Sequence, residues 1–457
     1  MDKPHILLLI DDEHRPDVLG IEGNEVVRTP TLDGCIQSGA YFRSAYTPAP
    51  ICVPARQSFL TGLYPRHNGC TGFDTPLPND VLTLPAHLGH YGYYSCCAGK
   101  MHFLGQNQMH GWNERIGRDI AAGIDDSPLA HLANEVEASR VARPAEPDPG
   151  TGKWSTAKEI RNARAGKGLH LAQDLYSTDG ALLFLDEYFA GVHYDRPGNA
   201  PLLMAVSLSS PHYPYQCAEE LFGYYLRRVE PYVEPLPDNF DSADFFKIEV
   251  GTDVELRDAR RATAAYYGMV ETVDRQYARV LDRLQELGVR DEFVVVFLSD
   301  HGEMLGQKGL WEKQQYFEAS VRVPFSVSGP SGGAPVRSTV TENVSLVDLF
   351  PTICELVDVP IPGGLDGVSL VPFMDPSAEE GHTGEEPRAV YSELYHVLNG
   401  PSEMIREGAL KYFRFNGRDW PDQLFDLETD PDERHNLIDD PTHSVQLAGL
   451  RAKLDAF

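Results

Sequence analysis

The sequence predicts an α/β protein, with a large domain built on a mixed, mainly parallel sheet between helices and a small C-terminal domain. Short β-rich apolar runs, typical of strands buried on both faces, alternate with helical patterns up to about residue 375. Shorter runs of antiparallel character follow from residue 386 onwards. At 457 residues the chain is long enough for two hydrophobic cores. We therefore expect a large domain over 1–375 and a small one over 386–457.

Four predicted strands of the large domain end in polar side chains. In parallel sheets, ligands bind beyond the carboxyl ends of the strands. The four clusters are therefore expected to converge on one site. Strand 5–10 is followed by Asp11 and Asp12, strand 93–98 by Lys100 and His102, strand 202–208 by His212, and strand 293–298 by Asp300 and His301.

Helical patterns lie between these strands, and one segment breaks the alternation. Residues 181–189 and 257–287 have helical spacing, and the second stretch is closed by Gly288. Residues 119–170 are polar and rich in Ala, Gly, Pro and Asp, which predicts a long excursion or lid, with a disordered insertion as the alternative. In the C-terminal part we expect short antiparallel strands and a terminal helix over 444–454.

The composition and the net charge limit the classes of partner that the protein can bind. A net charge of −29 argues against nucleic acid and against an anionic membrane surface. No apolar run approaches the roughly 20 residues needed to span a bilayer. The seven cysteines are scattered and contain no C-x-x-C pair, which fits a reducing compartment. The start of the chain lacks the pattern of a signal peptide, so we expect a cytoplasmic protein.

Cys52 is the first candidate for chemistry. Pro54 suits the first turn of a helix, so Cys52 is expected at a helix N-terminus, where N–H groups and the macrodipole favour an anion. Arg56 lies one turn further on the same face and adds a fixed positive charge. A buried structural cysteine beside a surface arginine fits this short stretch equally well.

The strand-end carboxylates predict a metal site. Asp11, Asp12, Asp300 and His301 together form a mostly oxygen ligand set for a divalent cation, although singly they could be caps, a surface turn or a core histidine.

Cationic and imidazole side chains complete the candidate site, although singly they could be solvated or loop residues. The set is Lys100, His102, His212 and Lys313. With a metal and a nucleophile, such groups suit hydrolysis of a sulfate or phosphate ester. The residues alone leave sulfur and phosphorus undistinguished.

Taken in order, the motifs of the chain resemble the type I sulfatases of the alkaline phosphatase superfamily. The resemblance extends over most of the chain and implies an alkaline-phosphatase-like fold. Its motifs are Asp11-Asp12 with Arg15-Pro16-Asp17, residues 28–33, Cys52-x-Pro54-x-Arg56 with Thr61-Gly62, residues 99–102, Pro211-His212, residues 299–303, Lys313 followed by Arg322-Val323-Pro324, and residues 425–437.

The resemblance implies roles for these residues. Cys52, oxidised to formylglycine by a maturase, is the nucleophile; Asp11, Asp12, Asp300 and His301 bind one divalent cation, with Ca²⁺ expected first and Mg²⁺ or Mn²⁺ as alternatives. Arg56 and Lys100 stabilise the nucleophile and its oxyanion, Lys313 and His212 hold sulfate oxygens or assist the leaving group, and His102 contacts the nucleophile. Many family members have asparagine where this chain has His301, and imidazole suits manganese or zinc better than calcium.

Residues 99–103 and 108–112 look most like the choline sulfatase and phosphonate monoester hydrolase branch. The expected substrate is a small organic sulfate ester of sugar or aryl type. Asp74 and the lid are candidate substrate contacts, and a homo-oligomer is compatible with the chain. The alternatives are a phosphonate monoester or phosphodiester hydrolase of the same superfamily, and a non-catalytic anion-binding relative.

Overall fold

The computed structural model describes residues 3–117, 153–192, 200–237, 239–243, 246–330, 339–376, 387–396 and 400–457. Most of the predicted lid, residues 119–152, lies outside these ranges. The last part of the predicted excursion forms regular structure, because a short helix begins at Lys153 and a long one at Leu169.

The strands of the large domain are short except for three at its centre. They are β1 (His5–Asp12), β2 (Ala40–Phe42), β3 (Ala45–Tyr46), β4 (Tyr94–Gly99), β5 (Glu114–Ile116), β6 (Arg164–Ala165), β7 (Leu202–Pro211), β8 (Gln216–Cys217), β9 (Phe293–Ser299), β10 (Phe325–Ser328), β11 (Thr339–Val340) and β12 (Val344–Ser345).

The helices of the large domain range from single turns to 31 residues. They are α1 (Pro30–Gln37), α2 (Cys52–Thr61), α3 (Pro65–Asn68), α4 (Leu84–His90), α5 (Lys153–Arg161), α6 (Leu169–Phe189), α7 (Glu219–Tyr225), α8 (Leu256–Glu286), α9 (Glu318–Val321), α10 (Leu349–Leu356) and α11 (Val371–Met374). Among the described residues, no helix has both the length and the apolar character needed to cross a bilayer.

Within the described ranges, eight strands form the central sheet in the order β11–β2–β10–β9–β1–β7–β4–β5. The neighbours β9, β1, β7 and β4 run parallel, whereas β10 is antiparallel to both β9 and β2. The prediction of a mixed, mainly parallel sheet is therefore confirmed. The carboxyl ends of β9, β1, β7 and β4 meet at one edge of the sheet, where the predicted polar clusters lie.

The core lies on both faces of this sheet because successive side chains of β1 point in opposite directions. Ile6, Leu8 and Ile10 belong to the cluster that includes α2, α4 and α10. Leu7 and Leu9 face the opposite cluster, which includes α6 and α8. Both clusters are almost fully buried, as expected for a sheet covered by helices.

Among the described residues, the C-terminal part of the chain is a four-stranded antiparallel sheet with a terminal helix. Its strands pair in the order β13–β14–β15–β16, and the terminal helix packs through Leu447, Leu450 and Leu454 against Ile405 and Tyr412 of the sheet. This confirms the predicted architecture. The elements are β13 (Ala389–His396), β14 (Gly400–Glu407), β15 (Leu410–Phe415), β16 (Gln423–Asp426) and α12 (Ser444–Ala456).

Candidate active site

Cys52 is the first residue of α2, as its spacing to Pro54 predicts. The preceding Ile51 is extended, and every residue of α2 is buried. The Cys52 Sγ lies 3.0 Å from His301 Nε2 and 3.8 Å from Asp12 Oδ1. Burial, reinforced by the negative charge of Asp12, raises the pKa of the Cys52 thiol to about 12. Burial in the cation-free site therefore favours the neutral thiol over the thiolate.

Four donor groups surround one point at the carboxyl edge of the sheet. One ligand atom each from Asp12, Cys52, Asp300 and His301 lies within 4.8 Å of the others, and all four residues are buried. His301 Nδ1 lies 2.9 Å from the carbonyl oxygen of Gly302 and donates to it, so Nε2 keeps its lone pair for the group. This arrangement can hold a divalent cation.

Asp12 is the last residue of β1, and the regular pairing of the strand is lost just before it. The pairing of β1 with β7 shifts register between Ile10 and Asp12, and Glu13 follows with φ 70°. An alternating strand would send the side chains of Asp11 and Asp12 to opposite faces. Asp11 and Asp12 therefore have different surroundings, and Asp12 lies at the carboxyl end of the strand.

Arg56 orients the carboxylates of Asp12 and Asp300 by binding both of them. Its Nε donates to Asp300 Oδ2 at 2.7 Å and its Nη2 donates to Asp12 Oδ2 at 2.9 Å. Its Nη1 donates at 2.9 Å to the Lys100 carbonyl oxygen and to Ser207 Oγ. Burial opposes ionisation of Asp12, but Lys100 and Arg56 outweigh it and hold the pKa of Asp12 well below its usual range. Burial raises the pKa of Asp300 despite the pull of Arg56.

Asp11 lies outside this group of four. Its Oδ2 accepts a bond from His14 Nδ1 at 2.6 Å, and His14 Nε2 lies 3.0 Å from the Val18 carbonyl oxygen. Asp11 Oδ1 is buried and has no hydrogen-bond partner among the described residues. A buried carboxylate oxygen without a partner is costly. The four donors fit a divalent cation, and the unpartnered oxygen makes Asp11 a candidate for a further carboxylate ligand.

Lys313 and His212 form a second group beside Asp12. Lys313 Nζ lies 2.7 Å from His212 Nε2 and 2.8 Å from Glu13 Oε2. His212 Nδ1 lies 2.5 Å from the Tyr213 carbonyl oxygen and donates to it, so Nε2 accepts from the lysine. Burial and the charge of Lys313 hold the pKa of His212 well below its usual value. Lys313 therefore carries the positive charge of the pair, and His212 is neutral.

Glu13 belongs to the site, although it is not among the residues predicted from the sequence. Its side chain is buried and its Oε2 also lies 3.3 Å from His212 Nε2. The signal was present in the sequence, because Glu13 extends the acidic pair to three consecutive acids. A run of three acidic residues does not show which side chain contacts a lysine that is distant in sequence.

Lys100 pairs with a member of the donor group, whereas His102 and Asp74 have different surroundings. Lys100 Nζ pairs with Asp12 Oδ2 at 2.7 Å. The ring of His102 packs edge-on against the ring of Phe73, with 5.2 Å between the ring centres. The backbone carbonyl oxygen of His102 lies 3.5 Å from Gln57 Nε2 of α2. Asp74 is exposed and follows Phe73. The contacts of the His102 ring therefore include the 73–74 loop, and its contact with the nucleophile stays a prediction.

The loop that carries Lys313 has an unusual backbone. Four of its non-glycine residues have positive φ: Leu305 (50°), Lys308 (56°), Glu312 (64°) and Gln314 (70°). Each such residue costs about 1–2 kcal/mol relative to right-handed backbone. Surrounding contacts must therefore hold the loop in place.

Comparison with known proteins assigns the family. Residues 4–359 match the Sulfatase family, and residues 306–457 match the family N-sulphoglucosamine sulphohydrolase, C-terminal. The chain belongs to the sulfatase family and is an enzyme of that family. The family typically uses a metal and formylglycine, and the donor group beside Cys52 is the candidate site for both.

Relatives and solved structures agree with this assignment. The chain is 29% identical to the choline-sulfatase of Rhizobium meliloti (strain 1021) over 99% of its own length and 86% of that relative. It resembles the phosphonate monoester hydrolase of Agrobacterium radiobacter with a TM-score of 0.75 at 23% identity, covering 99% and 96% of the two chains. A structure solved with its substrate D-glucosamine-2-N,6-O-disulfate has a TM-score of 0.74 at 18% identity, covering 100% and 97%. At these identities the two structures show a shared fold.

Proposed function

We propose that this enzyme hydrolyses a small organic sulfate ester, of sugar or aryl type, with a formylglycine derived from Cys52 as the nucleophile. The observation that carries the proposal is the position of Cys52 Sγ in one group with Asp12, Asp300 and His301. In the matured protein, a hydroxyl of the hydrated aldehyde would stand where the sulfur stands here. A nucleophilic oxygen at this point faces the side chains that suit a sulfate group.

A divalent cation held by Asp12, Asp300, His301 and residue 52, with Asp11 as a further carboxylate, would stabilise negative charge on the nucleophile and on the sulfate oxygens. The positive charges of Lys100 and Lys313 lie in the same site and suit the remaining sulfate oxygens.

The reaction uses residue 52 twice. One hydroxyl of the hydrate releases its proton to solvent as its oxygen attacks sulfur, the bond from sulfur to the ester oxygen breaks, and the alcohol leaves with a proton. The Lys313–His212 pair is the proton donor for this oxygen, because Lys313 is charged and shares a proton with His212 Nε2. The second hydroxyl then loses its proton as the aldehyde reforms and sulfate leaves, and water restores the hydrate. A thiol at this position has no second hydroxyl and cannot complete the cycle.

Maturation is the first test. We would express the chain with and without a formylglycine-generating maturase and measure the mass of the peptide containing residue 52. Conversion replaces one sulfur and two hydrogens with one oxygen. Turnover of an aryl sulfate should appear only in the converted preparation. Equal turnover in unconverted protein would contradict the role of Cys52.

His301 supports a second candidate, a phosphonate monoester hydrolase. The imidazole at this position favours a softer cation than calcium, and the fold is shared with the phosphonate monoester hydrolase above. An aryl sulfate and an aryl phosphonate monoester with the same leaving group separate the two functions in the matured, Mn²⁺-loaded enzyme. The proposed sulfatase requires a larger kcat/KM for the sulfate, and a preference for the phosphonate by several orders of magnitude would assign the second function.

A further inference from the structure

We propose that Arg15 is a positioning residue of this active site, because it holds the 303–313 loop that carries Lys313. The inference rests on the proposed function only for the role of Lys313 in catalysis. Arg15 belongs to the Arg15-Pro16-Asp17 motif. This motif contributes no residue to the donor group or to the nucleophile, so its role is not explained by them. Its contacts connect the turn after β1 to that loop.

The guanidinium of Arg15 makes three bonds to the loop. Its Nη1 donates to the carbonyl oxygens of Glu303 at 3.0 Å and Met304 at 2.8 Å, and its Nη2 donates to Gln307 Oε1 at 2.9 Å. These partners lie just after the carboxyl end of β9 and before Lys313. Arg15 therefore ties the first half of the loop to the turn that follows β1.

The remaining donors of Arg15 bind Asp17. Its Nε and Nη2 donate to the two carboxylate oxygens at 2.8 Å each, and its guanidinium lies 4.1 Å from the centre of the Tyr232 ring. All five guanidinium N–H groups thus have an acceptor, and the side chain is 2% exposed. A lysine has three donors on one nitrogen and cannot reproduce this planar arrangement.

The loop needs such a contact because of its backbone. Leu305, Lys308 and Glu312 all have positive φ, which an unsupported chain rarely keeps. On the side of the C-terminal domain, Lys308 Nζ donates to the Glu433 carbonyl oxygen at 2.9 Å. Arg15 holds the loop from the side of the metal ligands. The position of Lys313 therefore depends on contacts that Lys313 itself does not make.

The turn that carries Arg15 is itself fixed beside Asp12. The Tyr266 hydroxyl donates to the Glu13 carbonyl oxygen at 2.6 Å and accepts from the Arg15 backbone nitrogen at 2.7 Å. Glu13 also binds Lys313 through its side chain. Residues 12–15 thus connect the proposed metal site to the loop that carries Lys313. Arg15 makes the contacts that reach this loop.

A double-mutant cycle tests the inference in the matured enzyme. Arg15→Lys keeps a positive charge beside Asp17 and removes the fork that binds the loop. We expect kcat/KM for 4-nitrophenyl sulfate to fall about 100-fold, as for a displaced catalytic group. In a Lys313→Ala background, Arg15→Lys should cause little further loss. Equal losses in both backgrounds, or no loss in either, would overturn the inference.

Hydrogen exchange of residues 303–313 tests the contact without activity. Exchange in the Arg15→Lys protein should be faster than in the wild type. Arg28→Met is the matched control, since it removes an arginine of the same N-terminal region that pairs with Glu271 at 2.8 Å. It should leave both the exchange of this loop and kcat/KM unchanged. Unaltered exchange in Arg15→Lys would contradict the proposal.

Gln307→Met keeps the test valid if Arg15→Lys does not fold. It removes one of the three loop bonds and should lower kcat/KM in the same direction by a smaller factor, again only when Lys313 is present. Failure of the proposed function has a different signature. In that case the wild type turns over neither aryl sulfates nor aryl phosphonates, while the exchange rates still decide whether Arg15 holds the loop.

Discussion

Replacing Arg56 with methionine tests whether the site is built as a cluster of buried charges. The Arg56 side chain is fully buried, and it bridges Asp12 and Asp300, which are also fully buried. Removing one member of a buried ion pair typically costs about 3–5 kcal/mol, because the partner charge stays buried and unpaired. We expect the cation-free Arg56→Met protein to lose stability in that range. In saturating Mn²⁺ the loss should be smaller, because the bound cation supplies positive charge to the same carboxylates.

The assay is chemical denaturation followed by fluorescence, with and without Mn²⁺, on wild type and variant. Arg257→Met is the control, since its pair with Glu255 is exposed at both side chains and exposed pairs contribute about 0–1 kcal/mol. Arg56→Lys keeps the positive charge but removes the planar guanidinium group, and so tests the contribution of the charge alone. A destabilisation by Arg56→Met no larger than that of Arg257→Met would refute the argument. So would a loss that Mn²⁺ leaves unchanged.

Three further predictions concern the nucleophile, a metal-supporting residue and pH. Cys52→Ala should abolish turnover while bound metal, measured by elemental mass spectrometry, persists, because Asp12, Asp300 and His301 stay in place; unchanged turnover would remove Cys52 from its role. His14→Ala should weaken Mn²⁺ affinity about 10- to 100-fold in calorimetry, because His14 orients Asp11, and unaltered affinity would place Asp11 outside the metal site. Burial raises the pKa of Glu312 to about 7 in the folded protein. The contribution of this carboxyl group to the free energy of unfolding is therefore fully present below pH 4.5 and is lost as the pH rises towards 7. Glu312→Gln should therefore be more stable than wild type at pH 8, by about 3 kcal/mol at most, and indistinguishable near pH 4; a difference that does not change with pH would contradict this.

The fold could be predicted from local patterns to a large extent. Apolar runs bounded by polar clusters correctly indicated β1, β4, β7 and β9, and the helical stretch over 257–287 is α8 within one residue at each end. These signals are local, because burial on both faces requires a continuous apolar run. The order of strands in the sheet was not predictable in this way. It depends on contacts between segments far apart in the chain.

The candidate site was predictable as a list of residues but not as an arrangement. Asp12, Cys52, Asp300 and His301 converge as expected from their places at a helix start and strand ends. Asp11 was expected to be equivalent to Asp12, yet its side chain binds His14. Alternation along β1 separates the two side chains, and only the structure shows that Asp12 is the one that joins the donor group.

The sequence by itself determined the fold class, the residue types available for chemistry and the edge of the sheet at which they gather, because these follow from hydrophobic periodicity and from the chain direction of parallel strands. Only the tertiary structure decided that Arg56 binds the carboxylates, that Glu13 joins the Lys313–His212 pair and that Arg15 reaches the Lys313 loop. The physical reason is that buried charges choose partners by distance in the folded chain, where each must find compensation for lost hydration.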